Sequence, residues 1–288
     1  MRIAFCTNIP PLADPTSRRG RNHAIVARLV DAGHDVEILY RPEQLLAVAG
    51  PPRHDVGMLC PNDLFEEVPD PSGRRDADTV AAAIEHAGVP FVNSPLRRRV
   101  ATNKLLAHMA LGWAGLPRPD AWTLHQLDGI DWPPEGIVVK PVTGSGGFGV
   151  ALARSRREVA AHVAAVVEPC FLQRFVPDAR CIRVVATRHA SVARYEKRVA
   201  PGTIVAAIGS GAREVELAPR EELDELAIAV TRAVGMDIAG VDVLETPEGE
   251  LLALEANVNF GFDPRNGEIL DAIAAQVLAV APAGEAAP

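Results

Sequence analysis

The stretch Gly240-Val-Asp-Val-Leu-Glu-Thr-Pro-Glu-Gly-Glu-Leu-Leu-Ala-Leu-Glu-Ala-Asn257 carries more information than any other in the chain. With Ala239 just before it, it makes two apolar-rich runs, Ala239–Leu244 and Leu251–Asn257, separated by turn residues, and so reads as an antiparallel hairpin. A two-residue turn at Glu248-Gly249 sets Asp242 opposite Glu255. Alternation then places Asn257 on the same face, while Ala239, Val241, Val243, Leu252, Leu254 and Ala256 form an apolar face. Carboxylates directly opposite one another repel unless positive charge stands between them. No Lys or Arg lies beside these acids within the hairpin, so a hard divalent cation is the expected neutraliser. Mg²⁺ takes one or two carboxylates and fills its shell with water and nucleotide phosphate. The competing reading is a polar face that is simply solvated.

Upstream, Val138-Val139-Lys140-Pro141-Val142-Thr143-Gly144-Ser145-Gly146-Gly147-Phe148-Gly149-Val150 contains the letters G-x-G-x-x-G. A dinucleotide fingerprint needs a strand before the glycines and a helix opening at their end. Here Val150-Ala151-Leu152-Ala153 continues as a strand, so that reading fails on context. A glycine loop between two strands can still lay backbone N–H groups over phosphate oxygens, with Lys140 as a point charge at its entrance. The alternative is a mobile hairpin tip. Asn103-Lys104 on a helix and the apolar strand Phe171-Leu172-Gln173-Arg174-Phe175-Val176 are uninformative taken singly.

Working outward, the first 93 residues alternate strand and helix. Strands are expected at Arg2–Cys6, Val36–Tyr40, Val56–Cys60 and Val89–Val92, and helices at Asn22–Asp31 and Thr79–His86, ended by Gly33 and Gly88. That alternation implies a parallel, doubly wound sheet, whose ligands lie at the carboxyl ends of the strands. The loop Asn8–Arg21, with Arg18, Arg19 and Arg21, is therefore a candidate substrate loop. A long helix is expected over Ser94–Gly115, capped by Ser94 with Pro95 behind it. Antiparallel strands follow around the glycine turn, then a helix at Arg156–Val167 and strands at Phe171–Val176 and Ile182–Arg188. Helices at Glu221–Val234 and Ile269–Val280 flank the hairpin. The tail APAGEAAP is expected to fray.

The chain has 288 residues, 48% of them hydrophobic and 23% charged, with 29 basic and 37 acidic side chains. This is globular composition, and the acidic balance argues against a nucleic-acid protein. Cys6, Cys60, Cys170 and Cys181 form no CxxC pair, so reduced thiols are expected rather than a disulfide framework or a zinc site. The N-terminus lacks a signal-peptide apolar region of ~7–15 residues. No window reaches the ~18 apolar residues of a membrane span. A cytoplasmic protein is the expectation.

Taken together, these segments resemble the ATP-grasp enzymes, and within them the RimK-like carboxylate–amine ligases. The resemblance rests on Asn103-Lys104-Leu-Leu, Val-Val-Lys140-Pro, the glycine loop, Leu-Gln173-Arg-Phe-Val, Cys-Ile-Arg183-Val, Ala-Gly-Val-Asp242-Val and Leu-Glu255-Ala-Asn257, in this order. It implies an α/β plus α+β architecture: an N-terminal parallel α/β (pre-ATP-grasp) domain over residues 1–93, a central subdomain with the glycine loop over 94–170, and a C-terminal subdomain with the metal site over 171–282. Residues 283–288 are left as a flexible tail. The two α+β subdomains would enclose ATP. Lys104 and Lys140 would bind phosphates under a loop of Thr143, Gly144, Ser145, Gly146, Gly147 and Phe148. Main chain from Gln173 through Arg174 and Phe175 to Val176 would hold adenine, and Asp178 the ribose. Asp242, Glu255 and Asn257 would hold two Mg²⁺ or Mn²⁺ ions, and Arg183, with Lys140, would face the reacting phosphoryl group. The implied reaction activates a substrate carboxylate as an acyl phosphate and joins it to an amine, releasing ADP. The substrates would be an amino acid, a peptide or a natural-product acid, and the protein a homodimer.

Two departures from the family pattern stand out. Cys181 occupies the position before Ile-Arg where relatives commonly carry Asp. Val205-Ala206-Ala207 stand where relatives often carry an Arg and an Asn facing the phosphates, so Lys197 or Arg198 would have to supply that charge. The departures keep open an ATP-grasp kinase or a degenerate nucleotide-binding protein. A third reading, from Arg19-Gly20-Arg21-Asn22-His23, is a two-domain glycosyltransferase, which needs a second doubly wound domain that the antiparallel C-terminal half does not supply.

Overall fold

The structure is a computed structural model that describes residues 1–8, 20–46, 50–60, 72–144, 146–166, 168–198 and 213–282. In chain order the first elements are β1 (Arg2–Cys6), α1 (Gly20–Asp31), β2 (Asp35–Leu39), α2 (Glu43–Leu46), β3 (Val56–Leu59), α3 (Ser72–His86) and β4 (Phe91–Val92). The middle of the chain forms α4 (Arg98–Thr102), α5 (Lys104–Trp113), β5 (Ala121–Thr123), a 3-10 helix (Leu124–Gly129), β6 (Ile137–Pro141), β7 (Ala151–Ala153), α6 (Arg156–Ala165) and β8 (Cys170–Arg174). The remainder is β9 (Arg180–Thr187), β10 (Ser191–Arg198), β11 (Arg213–Glu216), α7 (Glu221–Ala233), β12 (Ile238–Glu245), β13 (Leu251–Asn257) and α8 (Gly267–Val280).

Two compact units result. The first comprises Met1–Arg99, Gly235–Ala239 and Val258–Pro288, and the second Val100–Val234 and Gly240–Asn257. The first unit holds a parallel sheet in the order β2-β1-β3-β4. Ile3, Ala4, Phe5 and Cys6 are all fully buried, as expected of a central parallel strand covered on both faces. One face packs against Ala77, Val80, Ala81 and Ile84 of α3. The other is closed by α1 and α8, which bury Ile25, Leu29, Ile269, Ile273 and Val277. The alternating strands and helices of the first 93 residues are thus the doubly wound sheet expected of them.

Asn93, with a left-handed φ of 52°, ties the end of β4 to the segment entering β12. Its Oδ1 accepts from the N–H groups of Asp237 (2.8 Å) and Ile238 (3.1 Å), and its Nδ2 donates to the Ile238 carbonyl at 2.7 Å. Its own N–H donates to the Asp237 carboxylate at 2.8 Å. The side chain is buried, so these backbone groups have no water to fall back on.

The single helix expected over Ser94–Gly115 is instead two helices broken at Asn103. Ser94 caps only a turn, its Oγ accepting from the N–H of Arg97 at 3.3 Å. Asn103 is extended (φ −102°, ψ 106°), and its side chain accepts from the Leu106 N–H at 3.0 Å, which makes it the N-cap of α5. Asparagine favours that role because its short side chain satisfies an orphan N–H of the first turn. The break lets the Lys104 N–H leave the helix and donate to the Val142 carbonyl at 2.8 Å.

The second unit contains two sheets, ordered β5-β8-β6-β7 and β11-β10-β9-β12-β13. The strands β10 and β11 lie in a region to which the sequence reading assigned no element. Their residues are mostly charged and half-exposed, which weakens the apolar alternation that announces a strand. On the five-stranded sheet α7 buries Leu223, Leu226, Ala227 and Val230. The four-stranded sheet is covered by Val159 of α6 together with Leu124 and Leu127 of the 3-10 helix.

The β12–β13 hairpin pairs Asp242 with Glu255 and Gly240 with Asn257, as expected. Two expectations about it fail, and they compensate. The Thr246 N–H donates to the Glu250 carbonyl at 2.9 Å, so the loop is Pro247, Glu248 and Gly249, with left-handed Gly249 (φ 87°) in its last position. This is the three-residue connection that needs glycine there. A bulge then restores the register, because Val243 pairs with Ala253 and leaves Leu254 unmatched. The bulge also changes which residues face inward: Ala253 is fully buried, whereas Leu252 and Leu254, expected in the core, are half-buried.

Replacing Asn93 with Ala strands two N–H groups and a carbonyl. The expected loss is about 2–4 kcal/mol, read as a lower thermal midpoint by circular dichroism; an unchanged midpoint would show that the stitch contributes nothing.

Candidate active site

The candidate site is assembled within the second unit, starting from the glycine loop. Strand β6 enters the loop and β7 leaves it, paired antiparallel with β6 through Ile137↔Ala153 to Val139↔Ala151. The loop returns on itself at Gly149, whose φ is 69°. A Cβ there would stand 2.7 Å from the Pro141 ring, so both conformation and space demand glycine. The Lys104 ammonium donates to the Gly144 carbonyl at 2.6 Å. With the Lys104 N–H on Val142, one residue therefore holds the strand end and the loop. Thr143 donates through Oγ1 to Glu168 at 3.0 Å, and Phe148 is exposed. Ser145 lies outside the described residues.

On the neighbouring strands, Val138 pairs with Gln173, which sets Lys140 diagonally beside Gln173 on one face. The Lys140 ammonium donates to Gln173 Oε1 at 2.6 Å, and Gln173 is buried. The N–H of Arg174 donates to the Asp120 carbonyl (2.8 Å) and that of Phe175 to the Gly136 carbonyl (3.2 Å). Both of these N–H groups are thus engaged within the fold. Val176 is half-buried, and Arg174 and Asp178 are exposed, the latter with a left-handed φ of 54°.

The five-stranded sheet supplies the other side. Alternation along β9 puts Cys181 and Arg183 on the face opposite α7. Tyr195 pairs with Arg183 and Glu196 with Ile182, a register that brings Lys197 of β10 opposite Cys181. Asp242, Glu255 and Asn257 share this face. Asp242 is 3% exposed. Arg183 donates to it in a parallel fork, Nε to Oδ1 at 2.9 Å and Nη2 to Oδ2 at 2.8 Å. Lys197 donates to both oxygens at 2.8 Å. Asn257 Nδ2 bridges the acids, 3.2 Å from Asp242 Oδ2 and 3.2 Å from Glu255 Oε1. The premise that the carboxylates lack a nearby cation is therefore corrected. The cations come from strands adjacent in space, not from the hairpin itself.

The electrostatics tie the two sheets into one site. Burial lowers the Lys140 pKa and Lys104 adds to that, while Glu255, Cys181 and Asp242 pull the other way. Lys140 of one sheet thus lies within electrostatic reach of both acids of the other. Burial alone would raise the Asp242 carboxyl, but Arg183 and Lys197 outweigh it and hold it down to about 2. Burial, reinforced by Asp242, pushes the Cys181 thiol up to about 12, so it stays protonated at neutral pH. His108 of α5, which the sequence reading passed over, is brought down to about 4 by burial, Arg118 and Lys140. It is neutral and accepts from Arg118 Nε at 3.2 Å.

A family model described as the RimK-like ATP-grasp domain matches residues 122–280, more than half of the chain. The chain belongs to the RimK-like ATP-grasp family. Human N-acetylaspartylglutamate synthase A is 28% identical over 217 residues, which cover 70% of this chain and 55% of that protein. The chain thus spans little more than half the length of that relative. A protein named probable alpha-L-glutamate ligase 2, from Hahella chejuensis, is 28% identical over 194 residues, 63% of each chain. Among solved structures, D-alanine--D-alanine ligase from Bacillus anthracis superposes with a TM-score of 0.71 at 16% identity, covering 98% of this chain and 97% of that one. The ATP-grasp ligase PsnB, solved with a minimal precursor, Mg and ADP, gives 0.65 at 16% identity, covering 96% and 98%. At such identity these structures establish the ATP-grasp fold.

The oxygen donors of this RimK-like ATP-grasp chain suit a hard cation in kind: two carboxylates and an amide on one face, spanned by Asn257. Among the described residues no group of three or more His, Cys, Asp or Glu side chains is placed to hold a metal ion. The described residues also contain no helix long and apolar enough to cross a membrane. Arg18 and Arg19 of the expected substrate loop, Val205-Ala206-Ala207, and the tail 283–288 lie outside the described residues. Arg21 is described and donates to the Phe260 carbonyl at 2.8 Å.

Because the Asp242 carboxyl lies below its ordinary value in the fold, its pairing stabilises the protein above about pH 4 and is lost as pH falls from 4 towards 2. Asp242→Asn should remove that acid-side dependence. It should also cost roughly 3–5 kcal/mol at neutral pH, since two buried cations lose their partner. Urea unfolding of both proteins at pH 6 and pH 2.5 measures this, and equal stability at pH 6 would refute it.

Proposed function

We propose that this protein is an ADP-forming carboxylate–amine ligase that uses ATP and Mg²⁺. The observation that carries the reading is the convergence of Lys104 and Lys140, on the glycine-loop side, with Arg183, Asp242, Glu255 and Asn257 on the facing sheet. Family membership supports it, as do the names of the relatives, which are synthases and ligases of glutamate-containing products. Those names favour an amino acid such as glutamate as one reactant. The precursor in the PsnB title keeps a peptide open as the other class.

In this reading the γ-phosphoryl group of ATP passes to a substrate carboxylate, and an amine then displaces phosphate to leave an amide. Little covalent chemistry falls to the protein, and positioning and charge neutralisation dominate. Lys104 and Lys140 would hold phosphate oxygens from the loop side. Arg183 would face the charge that builds on the transferred group. Main-chain groups near Gln173 and Val176 would border the base. Asp242, Glu255 and Asn257 would hold one or two Mg²⁺ ions, which when bound neutralise phosphate charge. The three-part division expected at residues 93 and 170 is kept as a division of roles, with β8 counted with the four-stranded glycine-loop sheet in which it pairs. The four free cysteines favour a reducing, cytoplasmic setting.

ADP release should require an acid and an amine together, with Mg²⁺. An untargeted screen of amino acids and small acids, followed by mass spectrometry, separates the possibilities. An amide product supports the ligase, a stable phosphorylated product would make it a kinase, and failure to bind any ATP analogue would overturn the nucleotide reading. Glu255→Gln is the informative variant, because Glu255 is not locked in the Arg183–Lys197 pairing. Turnover should fall about 100-fold or more with the thermal midpoint unchanged, whereas an active variant would remove Glu255 from the metal site.

A further inference from the structure

We infer that Lys197 and the divalent cation compete for the Asp242 carboxylate, so that Lys197 keeps this ligand closed until nucleotide phosphate draws it away. The inference rests on the nucleotide reading above and adds a gate to it.

The argument begins with lone pairs. A carboxylate offers about four acceptor sites. Oδ1 of Asp242 accepts from Arg183 Nε and Lys197 Nζ, and Oδ2 from Arg183 Nη2, Lys197 Nζ and Asn257 Nδ2. All acceptor capacity is taken, so a cation reaches Asp242 only if a donor leaves. Arg183 is the poorer candidate: its planar fork makes two parallel bonds and would lose both at once. Lys197 is a compact charge on a flexible four-carbon stem and can swing away while Asp242 keeps its Arg183 fork.

Charge then decides when the swing occurs. A bare divalent cation would add two positive charges beside two buried cations sharing a single carboxylate, and it offers Lys197 no new anion. A nucleotide brings phosphate oxygens that accept the displaced ammonium. Metal entry at Asp242 is thereby coupled to nucleotide entry. Of the two residues that could supply the charge that Val205-Ala206-Ala207 do not, the geometry favours Lys197. Lys197 is 5% exposed and turned to Asp242. Arg198, the other candidate, is exposed and pairs with Glu196 at 3.1 Å.

The test uses the full chain without nucleotide, with Mn²⁺ as the probe and electron paramagnetic resonance counting bound metal. Lys197→Met keeps the apolar stem and leaves the Arg183–Asp242 fork in place, with Lys197→Gln as a second variant should the first fold poorly. The neutral variants should bind Mn²⁺ at least tenfold more tightly than wild type, an increase that structural damage would not produce. Lys197→Arg, which keeps the charge, should remain as weak as wild type. Adding Asp242→Asn to Lys197→Met should abolish the gain. Unchanged or weaker Mn²⁺ binding in both neutral variants, or a gain that survives Asp242→Asn, would overturn the gate. A parallel titration with ADP present keeps the two readings apart: if the wild-type chain binds ADP with Mn²⁺ there, the nucleotide reading stands on its own, and if it binds neither, both fall.

Discussion

The arrangement around Asp242 constrains everything else in the second unit. A buried carboxylate shared by a guanidinium and an ammonium is costly to assemble, since each ion gives up its hydration and only close geometry restores the loss. That geometry needs β9, β10 and β12 in fixed register, because the donors are Arg183 and Lys197 and the acceptor lies on a third strand. A slip of one residue in any of them would turn its charged side chain towards α7 and the apolar core. The charges therefore do double duty. They specify how the strands pair, and they leave a cluster whose balance is completed by a ligand carrying both negative and divalent positive charge.

The hairpin shows how that register is protected. A three-residue loop shifts the pairing near the turn by one position, and the bulge at Leu254 shifts it back before Glu255 and Asn257 are reached. The bulge gives the strand an inward Ala253 near the loop and inward Ala256 near the site, with Glu255 and Asn257 turned to the polar face. On the other sheet the same problem is met differently. Asn103 interrupts a helix so that Lys104 can bond Val142 and Gly144, and the glycine loop gains a fixed point at its entrance.

Much of this was legible in the sequence, and the exceptions have physical causes. The parallel sheet announced itself through fully apolar strands such as Ile3–Cys6, and the Asp242–Glu255 pairing through a two-residue turn whose register the longer loop and the bulge together reproduce. The loop length and bulge were not readable, because their effects cancel at the residues that alternation tests. The helix break at Asn103 was hidden for a related reason. Its cap acts through one side chain in a run of good helix formers, and what rewards the break is Val142, far off in sequence. The most consequential omission was β10. Ser-Val-Ala-Arg-Tyr-Glu-Lys-Arg, residues 191–198, carries charge on both faces: Glu196 and Arg194 form ion pairs on one side, while Lys197 is buried on the other. Hydrophobic period cannot reveal a strand whose inward residue is a lysine, yet that lysine decides the electrostatics of the site.

This explains why the acids looked more exposed to repulsion than they are. Within the hairpin Asp242 and Glu255 face each other with no cation, and a divalent ion is the neutraliser that the hairpin alone calls for. In three dimensions Arg183 and Lys197 already neutralise Asp242, and Asn257 spans the gap to Glu255. The demand for a cation therefore moves from stability to function. A site whose fold needed metal would be empty and loose without it. One whose carboxylate is already satisfied by lysine is closed when idle and opens by exchange of partners. Lys140 and Lys104, gathered at the loop, add the positive charge that makes phosphate the natural agent of that exchange. The same cluster that fixes the strand register thus sets the order in which ligands can enter.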